Sequence, residues 1–197
     1  MLVLGIDPGT AVTGYGVVRR ASNGAATLVE CGVIRTKPAQ PLAKRLRDIH
    51  EGLQELIARH QPDAVAVEDV FYARNVRTTV VLGHARGVIL LAAELAGLPV
   101  HEYSPATIKK AVVGTGAATK EQVQFMIAKL LRLKSAPQPN DASDGVAAAL
   151  ACCMAPTLPR LTGDAAIPIT PGTARAGDSR SAARSPVARV APARRHA

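Results

Sequence analysis

The chain has 197 residues and a formal net charge of +9, with 24 lysines and arginines against 15 acidic residues. Its length and its hydrophobic content of 48% are typical of one globular domain with an appended segment, and its three cysteines fit neither a disulfide framework nor a four-ligand zinc site. No run of about 18 uncharged apolar residues is present and the first residues lack the basic start of a secretory signal, so we exclude a membrane span and expect a cytoplasmic protein.

The chain begins with three short segments rich in strand-forming residues, each bounded by turn residues. The first runs from Leu2 to Asp7 and ends at a Pro-Gly turn, and the segments VTGYGVV and TLVECGVIRT follow it. Short sequential strands separated by turns favour an antiparallel arrangement. The sequence therefore predicts a fold that starts with three antiparallel strands.

The rest of the body predicts helices and two further strands. Apolar residues from Leu42 to Ile57 recur at spacings of three and four, which predicts an amphipathic helix that ends before Gln61. The other predicted elements are strands at 64–69 and 100–103 and helices at 78–95, 106–113, 121–133 and 141–154, the third of these behind a capping-box pattern. Together they predict an α/β domain over residues 1–154, with a five-stranded mixed sheet flanked by helices.

The C-terminal segment, residues 155–197, differs from this body in composition. It carries seven arginines against two aspartates, six prolines and no aromatic residue. Because such a composition buries little apolar surface, we expect this basic tail to be disordered. A solvated accessory extension and a loose contact with a polyanion are both consistent with it.

Four carboxylates fall at the ends of predicted elements. Asp7 ends the first strand beside a Pro-Gly turn, and Glu68 ends a buried strand, where an ionised side chain is costly unless it is solvated, paired or bound to a cation. Asp141 and Asp144 lie three residues apart at the start of the last helix and so share one face. Taken singly, Asp7 is also consistent with a turn and Asp141 with a helix cap.

As a set, these four carboxylates predict a metal site, because open α/β sheets build their sites where strands end. Oxygen ligands without cysteine or paired histidine favour Mg²⁺, with Mn²⁺ as a substitute. Two such ions in one site promote phosphodiester hydrolysis. The residues therefore indicate a metal-dependent enzyme acting on phosphodiesters.

Basic and aromatic residues near these carboxylates indicate a polyanionic substrate. Lys109 lies on the helix after the last strand, and Lys120 opens the next helix. Phe71 follows the Glu68 strand with Arg74 close behind, a pairing suited to stacking on unpaired bases and equally consistent with ordinary packing. The loop before Lys120 lacks the spacing of a P-loop, which we therefore exclude.

The segments GIDPGTAVTGYGVV, GVIRTK, VAVEDVF, HARGV, VVGTGAATKEQVQ and PNDASDGVAAAL occur in this order. In order and spacing, this set resembles the RuvC family of Holliday junction resolvases over about residues 1–154. The resemblance implies an RNase H-like fold and a homodimer that takes part in recombination and DNA repair by nicking four-way DNA junctions symmetrically with divalent metal. It also implies that RuvA and RuvB, the family's branch-migration proteins, are partners.

The same resemblance assigns roles to individual residues. It implies that Asp7, Glu68, Asp141 and Asp144 are the catalytic and metal-binding carboxylates, with two ions in each site. It implies that Phe71 contacts the junction, and that Lys109 and Lys120 hold the DNA backbone. Nothing in the resemblance extends to the basic tail.

Two alternative functions remain open, and so does the contact that the long apolar helix makes. Sugar kinases and actin-type ATPases open with a similar strand and phosphate loop, although they need two such domains and this chain has one. A junction-binding module without catalysis is the second alternative. Gly83 and Gly87, four residues apart on the long apolar helix, predict a close helix contact either at a dimer interface or within the chain.

Overall fold

The computed structural model describes residues 1–69 and 76–155. Its strands are β1 (Leu2–Asp7), β2 (Val12–Arg20), β3 (Ala26–Arg35), β4 (Ala64–Glu68) and β5 (Val100–Tyr103). They form one sheet in the order β3-β2-β1-β4-β5. The pairs β1–β2 and β2–β3 are antiparallel, whereas β1–β4 and β4–β5 are parallel. The predicted antiparallel start and five-stranded mixed sheet are therefore confirmed.

The helices are α1 (Leu42–His60), α2 (Val76–Leu95), α3 (Pro105–Val113), α4 (Lys120–Leu130) and α5 (Asn140–Met154). Each matches a predicted helix, and the capping box at the start of α4 is present, with Thr119 and Gln122 bonding reciprocally. Helix α4 ends three residues before the predicted position. The reason is local, because Arg132 takes a left-handed conformation with φ of 55° that an α-helix cannot continue through.

Side chains of β1 alternate between two layers of apolar packing. Leu2, Leu4 and Ile6 pack with the buried residues of α1 and α2 on one face of the sheet. Val3 packs on the other face, with α3, α4 and the alanine-rich helix α5. This alternation follows from the two-residue repeat of a strand, and it directs Asp7 toward α5 because Asp7 shares the parity of Val3.

Helix α5 lies directly on the backbone of β1 and β2, because the positions beneath it are glycines. A Cβ atom on Gly14 would lie 1.9 Å from the carbonyl oxygen of Asp141, and one on Gly5 would lie 2.2 Å from that of Gly145. From the helix side, a Cβ on Gly145 would lie 2.6 Å from the Cα of Tyr15. The acidic first turns of α5 are thereby held against the strand ends.

Helix α2 is, among the described residues, the one helix long and apolar enough to cross a membrane by length and composition, with a mean hydropathy of 1.4. Only 22% of that stretch is buried, and one side packs on α1 through Ala85 and Ile89. Added Cβ atoms on Gly83 and Gly87 would meet no other atom within 4 Å. The alternative that these glycines serve a contact within the chain is therefore wrong for the described residues.

Three sequence predictions lie outside the described residues. Phe71 and Arg74 fall in the segment 70–75, and the basic tail from residue 156 onward is likewise outside. The division of the chain near residue 154 and the disorder of the tail stay predictions.

We expect Gly14→Ala to lower the free energy of unfolding by about 3 kcal/mol, because the added methyl group would overlap the backbone of Asp141. Urea unfolding checks this value. Gly52→Ala is the matched control, since its Cβ would meet only the side chain of Ile34, at 3.0 Å, and we expect a change below about 1 kcal/mol there. Equal stability of Gly14→Ala and the unsubstituted protein would contradict the close contact.

Candidate active site

Asp7 and Glu68 leave the same edge of the sheet side by side. Strands β1 and β4 pair in parallel with Ile6 opposite Val67, so the next residue of each strand is a carboxylate on the face that carries α5. Asp69, one residue further, is exposed and lies 3.6 Å from the Nε of Arg86 on α2, on the opposite face. The strand order therefore brings the two predicted catalytic residues together without Asp69.

Helix α5 supplies the other two predicted carboxylates from its first turns. Its N-cap residue is Pro139, and no side chain makes a capping hydrogen bond there. The interpretation of Asp141 as the helix cap is therefore wrong. Asp144 lies one turn further along, next to the glycine that rests on Tyr15.

These groups surround a cavity of about 280 Å³ that is open on one side. Three of the four predicted carboxylates line it, with two of the predicted basic residues and an apolar wall: Asp7, Glu68, Asp144, Lys109, Lys120, Pro105, Ile108, Val123 and Ala147. Asp141 does not line the cavity, although its charge is close enough to raise the pKa of Asp7. The cavity is therefore polar at the sheet edge and apolar along α3, α4 and α5.

One ion pair crosses this cavity. The Nζ of Lys120 donates a hydrogen bond to Oδ2 of Asp144 at 2.7 Å. That bond raises the pKa of Lys120, and the side chain of Asp144 is 26% exposed. Lys120 thus compensates one carboxylate of the cluster and leaves Asp7 and Glu68 without a direct partner among the described residues.

The pKa values of both strand-end carboxyls are raised. Burial, and then the charges of Glu68, Asp144 and Asp141, raise the pKa of Asp7 to about 8. Burial and the charge of Asp144 raise the pKa of Glu68 to about 7. Crowded, partly desolvated carboxylates resist ionisation until a cation compensates them.

The donor set fits a hard divalent cation. Carboxylate oxygens are the ligands that Mg²⁺ and Mn²⁺ prefer, and a cation would offset the burial and the neighbouring negative charges that raise the pKa values of Asp7 and Glu68. Within residues 1–69 and 76–155, no three acidic, histidine or cysteine side chains are already arranged as a metal site.

A hydrogen-bonded clamp fixes the loop that follows Asp7. The hydroxyl of Thr36 donates to the carbonyl oxygen of Thr10 at 2.5 Å, and the Nε of Arg45 donates to that same oxygen at 3.1 Å. Thr13 donates its hydroxyl to the carbonyl of Gly9 at 2.6 Å. Thr36, directly after β3, and Arg45 of α1 therefore hold the turn that follows Asp7.

Sequence reasoning missed this clamp. Arg45 lies off the apolar stripe of α1, so the pattern assigned it only to a polar helix face. No local signal pairs it with Thr10, because 35 residues separate them. The predicted contacts of Phe71 and Arg74 lie outside the described residues.

Comparison with known proteins gives consistent matches. The family model described as crossover junction endodeoxyribonuclease RuvC matches residues 3–153. The crossover junction endodeoxyribonuclease RuvC of Pelotomaculum thermopropionicum is 51% identical over 150 residues, which are 76% of this chain and 91% of that protein.

Solved structures give the same result. Thermus thermophilus RuvC in complex with a Holliday junction substrate has a TM-score of 0.75 at 40% identity, over 78% of this chain and 93% of that chain. The yeast mitochondrial Holliday junction resolvase Ydc2 has a TM-score of 0.54 at 14% identity, over 77% of this chain and 78% of that one, and is similar in fold.

We expect the cation-free protein to lose stability as the pH rises from about 4 to about 8. The folded-state pKa values of Asp7 and Glu68, about 8 and about 7, lie above the ordinary values of 3.8 and 4.5, so the folded protein holds protons that the unfolded chain releases, and stability falls until the pH has passed the folded-state values. A loss of about 2 kcal/mol would lower Tm by roughly 4–8 °C. Calorimetry in a chelator measures it.

Asp7→Asn should flatten this pH dependence, because it removes the carboxylate with the most raised pKa. Mg²⁺ should raise Tm of the unsubstituted protein at pH 9 and have a smaller effect on the variant. Parallel Tm curves for the two proteins across this range would show that the cluster is not under electrostatic strain.

Proposed function

Because this chain belongs to the RuvC family of crossover junction endodeoxyribonucleases, we propose that it resolves Holliday junctions by nicking two strands symmetrically, as a structure-selective endonuclease of recombination and DNA repair. The family match over residues 3–153 and the similarity to RuvC structures confirm the RNase H-like fold. The observation that carries the proposal is the convergence of Asp7, Glu68 and Asp144 on one open cavity that two lysines also line.

Divalent metal is part of the proposal. Asp7, Glu68, Asp141 and Asp144 would hold Mg²⁺ or Mn²⁺, two ions in each site, and bound ions of this kind activate water and stabilise the leaving oxygen of a phosphodiester. The raised pKa values of Asp7 and Glu68 support this assignment. Two adjacent carboxylates repel each other and retain protons, and a metal ion that binds them replaces those protons.

The chain's own residues bind and orient the scissile strand. Lys109 and Lys120 line the same cavity as the carboxylates, so their ammonium groups are available to phosphate oxygens of the scissile strand on one side of the cut. The clamp on the loop after Asp7 keeps that carboxylate in position during binding. Phe71 and Arg74 belong to the proposal as contacts with unpaired bases at the junction centre.

A homodimer would match the two-fold symmetry of a junction, since each protomer addresses one of two equivalent strands. The outer face of α2 supports this assembly. Val80 and Leu91 are each 52% exposed, and a Cβ atom added to Gly83 or Gly87 between them would meet no other described side chain or strand within 4 Å. They line one shallow apolar groove with Leu46 of α1. We propose this groove as the surface that the second copy covers.

RuvA and RuvB as partners and a cytoplasmic location remain parts of the proposal that follow from the family. A junction-binding module without catalysis is the alternative function, and metal-dependent nicking separates the two. A basic tail that holds DNA loosely is compatible with both.

We expect the protein to cut a labelled four-way DNA junction at symmetric positions in Mg²⁺ and to leave a linear duplex of matching sequence intact. Asp7→Asn should lower the cleavage rate at least about 1000-fold while junction binding persists, because the variant keeps the lysines and loses a charged ligand. Denaturing gels and fluorescence anisotropy measure the two quantities.

Asp69→Asn is the matched control, an aspartate at the same sheet edge on the opposite face, and we expect it to cut at the normal rate. Binding without cleavage by the unsubstituted protein would favour the non-catalytic module. Unchanged nicking by Asp7→Asn would refute the assigned site.

We expect Leu91→Asp to produce a monomer, since it places a charge in the apolar groove of α2, and to uncouple the two nicks. Light scattering at several concentrations measures the mass. Phe125→Asp is the control, because Phe125 is 61% exposed on α4 and should tolerate the charge without a change in mass. A monomeric unsubstituted protein at high concentration would contradict the proposed interface.

A further inference from the structure

Four basic residues lie around the end of β3, which is the edge strand opposite β5 and therefore distant from α3, the helix that follows β5 and carries Lys109. Arg35 and Lys37 flank Thr36 in the chain, and Lys44 and Arg45 lie in the first turn of α1, where Arg45 contacts Thr36 at 3.1 Å. We call these four residues the β3 basic patch: Arg35, Lys37, Lys44 and Arg45. The proposed reaction uses Arg45 only to fix the loop after Asp7, and it uses none of the other three.

The strand register places the β3 basic patch at the active-site end of the sheet. Arg35 pairs with Val12, and Gly14, two residues along β2, pairs with Asp7. By this register, the side chain of Arg35 leaves the same face of the sheet as that of Asp7. Two strand spacings of about 4.8 Å and two residues of rise at about 3.4 Å each separate the Cα atoms of Arg35 and Asp7, which therefore lie roughly 12 Å apart. A duplex arm covers that distance in about four base pairs.

The charges of the patch are not compensated by acidic side chains. Arg35, Lys37 and Lys44 are exposed, and within residues 1–69 and 76–155 none of the four patch residues forms an ion pair with a carboxylate. The first two acidic residues of α1, Asp48 and Glu51, are both engaged by Arg47, at 3.5 and 3.4 Å. The patch therefore presents an open positive surface beside the cavity that the carboxylates line.

Arg45 connects this surface to the active-site loop. Its Nε is bound to the carbonyl of Thr10 and the hydroxyl of Thr36, both at 3.1 Å. The two terminal nitrogens of its guanidinium have no partner among the described residues and are not sealed from solvent. A phosphate bound by those nitrogens would be fixed relative to the loop that follows Asp7.

We propose that the β3 basic patch binds backbone phosphates of a DNA arm, so that the scissile strand is held on both sides of the carboxylates. Lys109 and Lys120 hold one side, and the patch holds the other. This inference rests on the proposed nuclease function. It assigns the patch to phosphate positioning, which carries no sequence information.

A test removes charge from the exposed part of the patch. In Arg35→Ala/Lys37→Ala, we expect the Kd for a four-way junction to rise about tenfold near 100 mM salt. The slope of log Kd against log salt should fall by about 1–2, since each lost phosphate contact contributes about 0.9. Fluorescence anisotropy of the full chain, in Ca²⁺ at several salt concentrations, measures both values.

The control is Arg19→Ala/Lys134→Ala, which removes two exposed positive charges elsewhere. Arg19 lies at the far end of β2, and Lys134 lies beyond the C-terminal end of α4, the end away from Lys120. This control should keep the slope and the Kd. If the unsubstituted protein binds the junction normally and the patch variant keeps the same slope, the role of the patch is refuted and the proposed nuclease function is not. Equal losses in both variants would also overturn it, because they would reflect net charge only.

Absence of junction binding by the unsubstituted protein would instead refute the proposed function. Urea unfolding of both variants excludes a folding defect as the cause of weak binding. Reversal of the patch charges in Arg35→Glu/Lys37→Glu provides a second measurement, and a larger loss than in the alanine variant is the expected result.

Discussion

The contact of α5 with the backbones of β1 and β2 determines the rest of the site. Ordinary helix-on-sheet packing leaves a layer of side chains between the two, whereas glycines at positions 5, 14, 16 and 145 remove that layer. The acidic first turns of the helix consequently reach strand ends that larger side chains would keep several ångströms away. The same approach buries Asp7 and adds the charges of Asp141 and Asp144 to it.

This arrangement makes the site unfavourable without positive charge. Burial and mutual repulsion raise the pKa values of Asp7 and Glu68, and Lys120 compensates only Asp144 directly. Divalent cations would compensate the carboxylates of this cluster, and the phosphates of a substrate would compensate the lysines beside it. In this account, metal binding relieves electrostatic strain that the glycine contact produces, and the β3 basic patch extends the same complementarity along the DNA.

Much of this site follows from local sequence. Strand alternation directs Asp7 to the α5 face, the helical spacing of Asp141 and Asp144 places both in the first turns, and the Thr119 capping box positions Lys120 at the start of α4. The contacts between distant segments do not follow from local sequence. The hydrogen bond of Arg45 to Thr10 and the position of Asp141 outside the cavity lining depend on tertiary packing, which the spacing of apolar residues in the sequence does not predict.

A crystal structure with Mn²⁺ tests the central claim most directly, because anomalous scattering locates that ion. The account predicts Mn²⁺ bound by Asp7 together with Glu68 or Asp144, and Lys120 released from Asp144. With millimolar Mn²⁺ in the crystal, an unchanged Lys120–Asp144 bond and no anomalous peak within coordinating distance of Asp7 would contradict it.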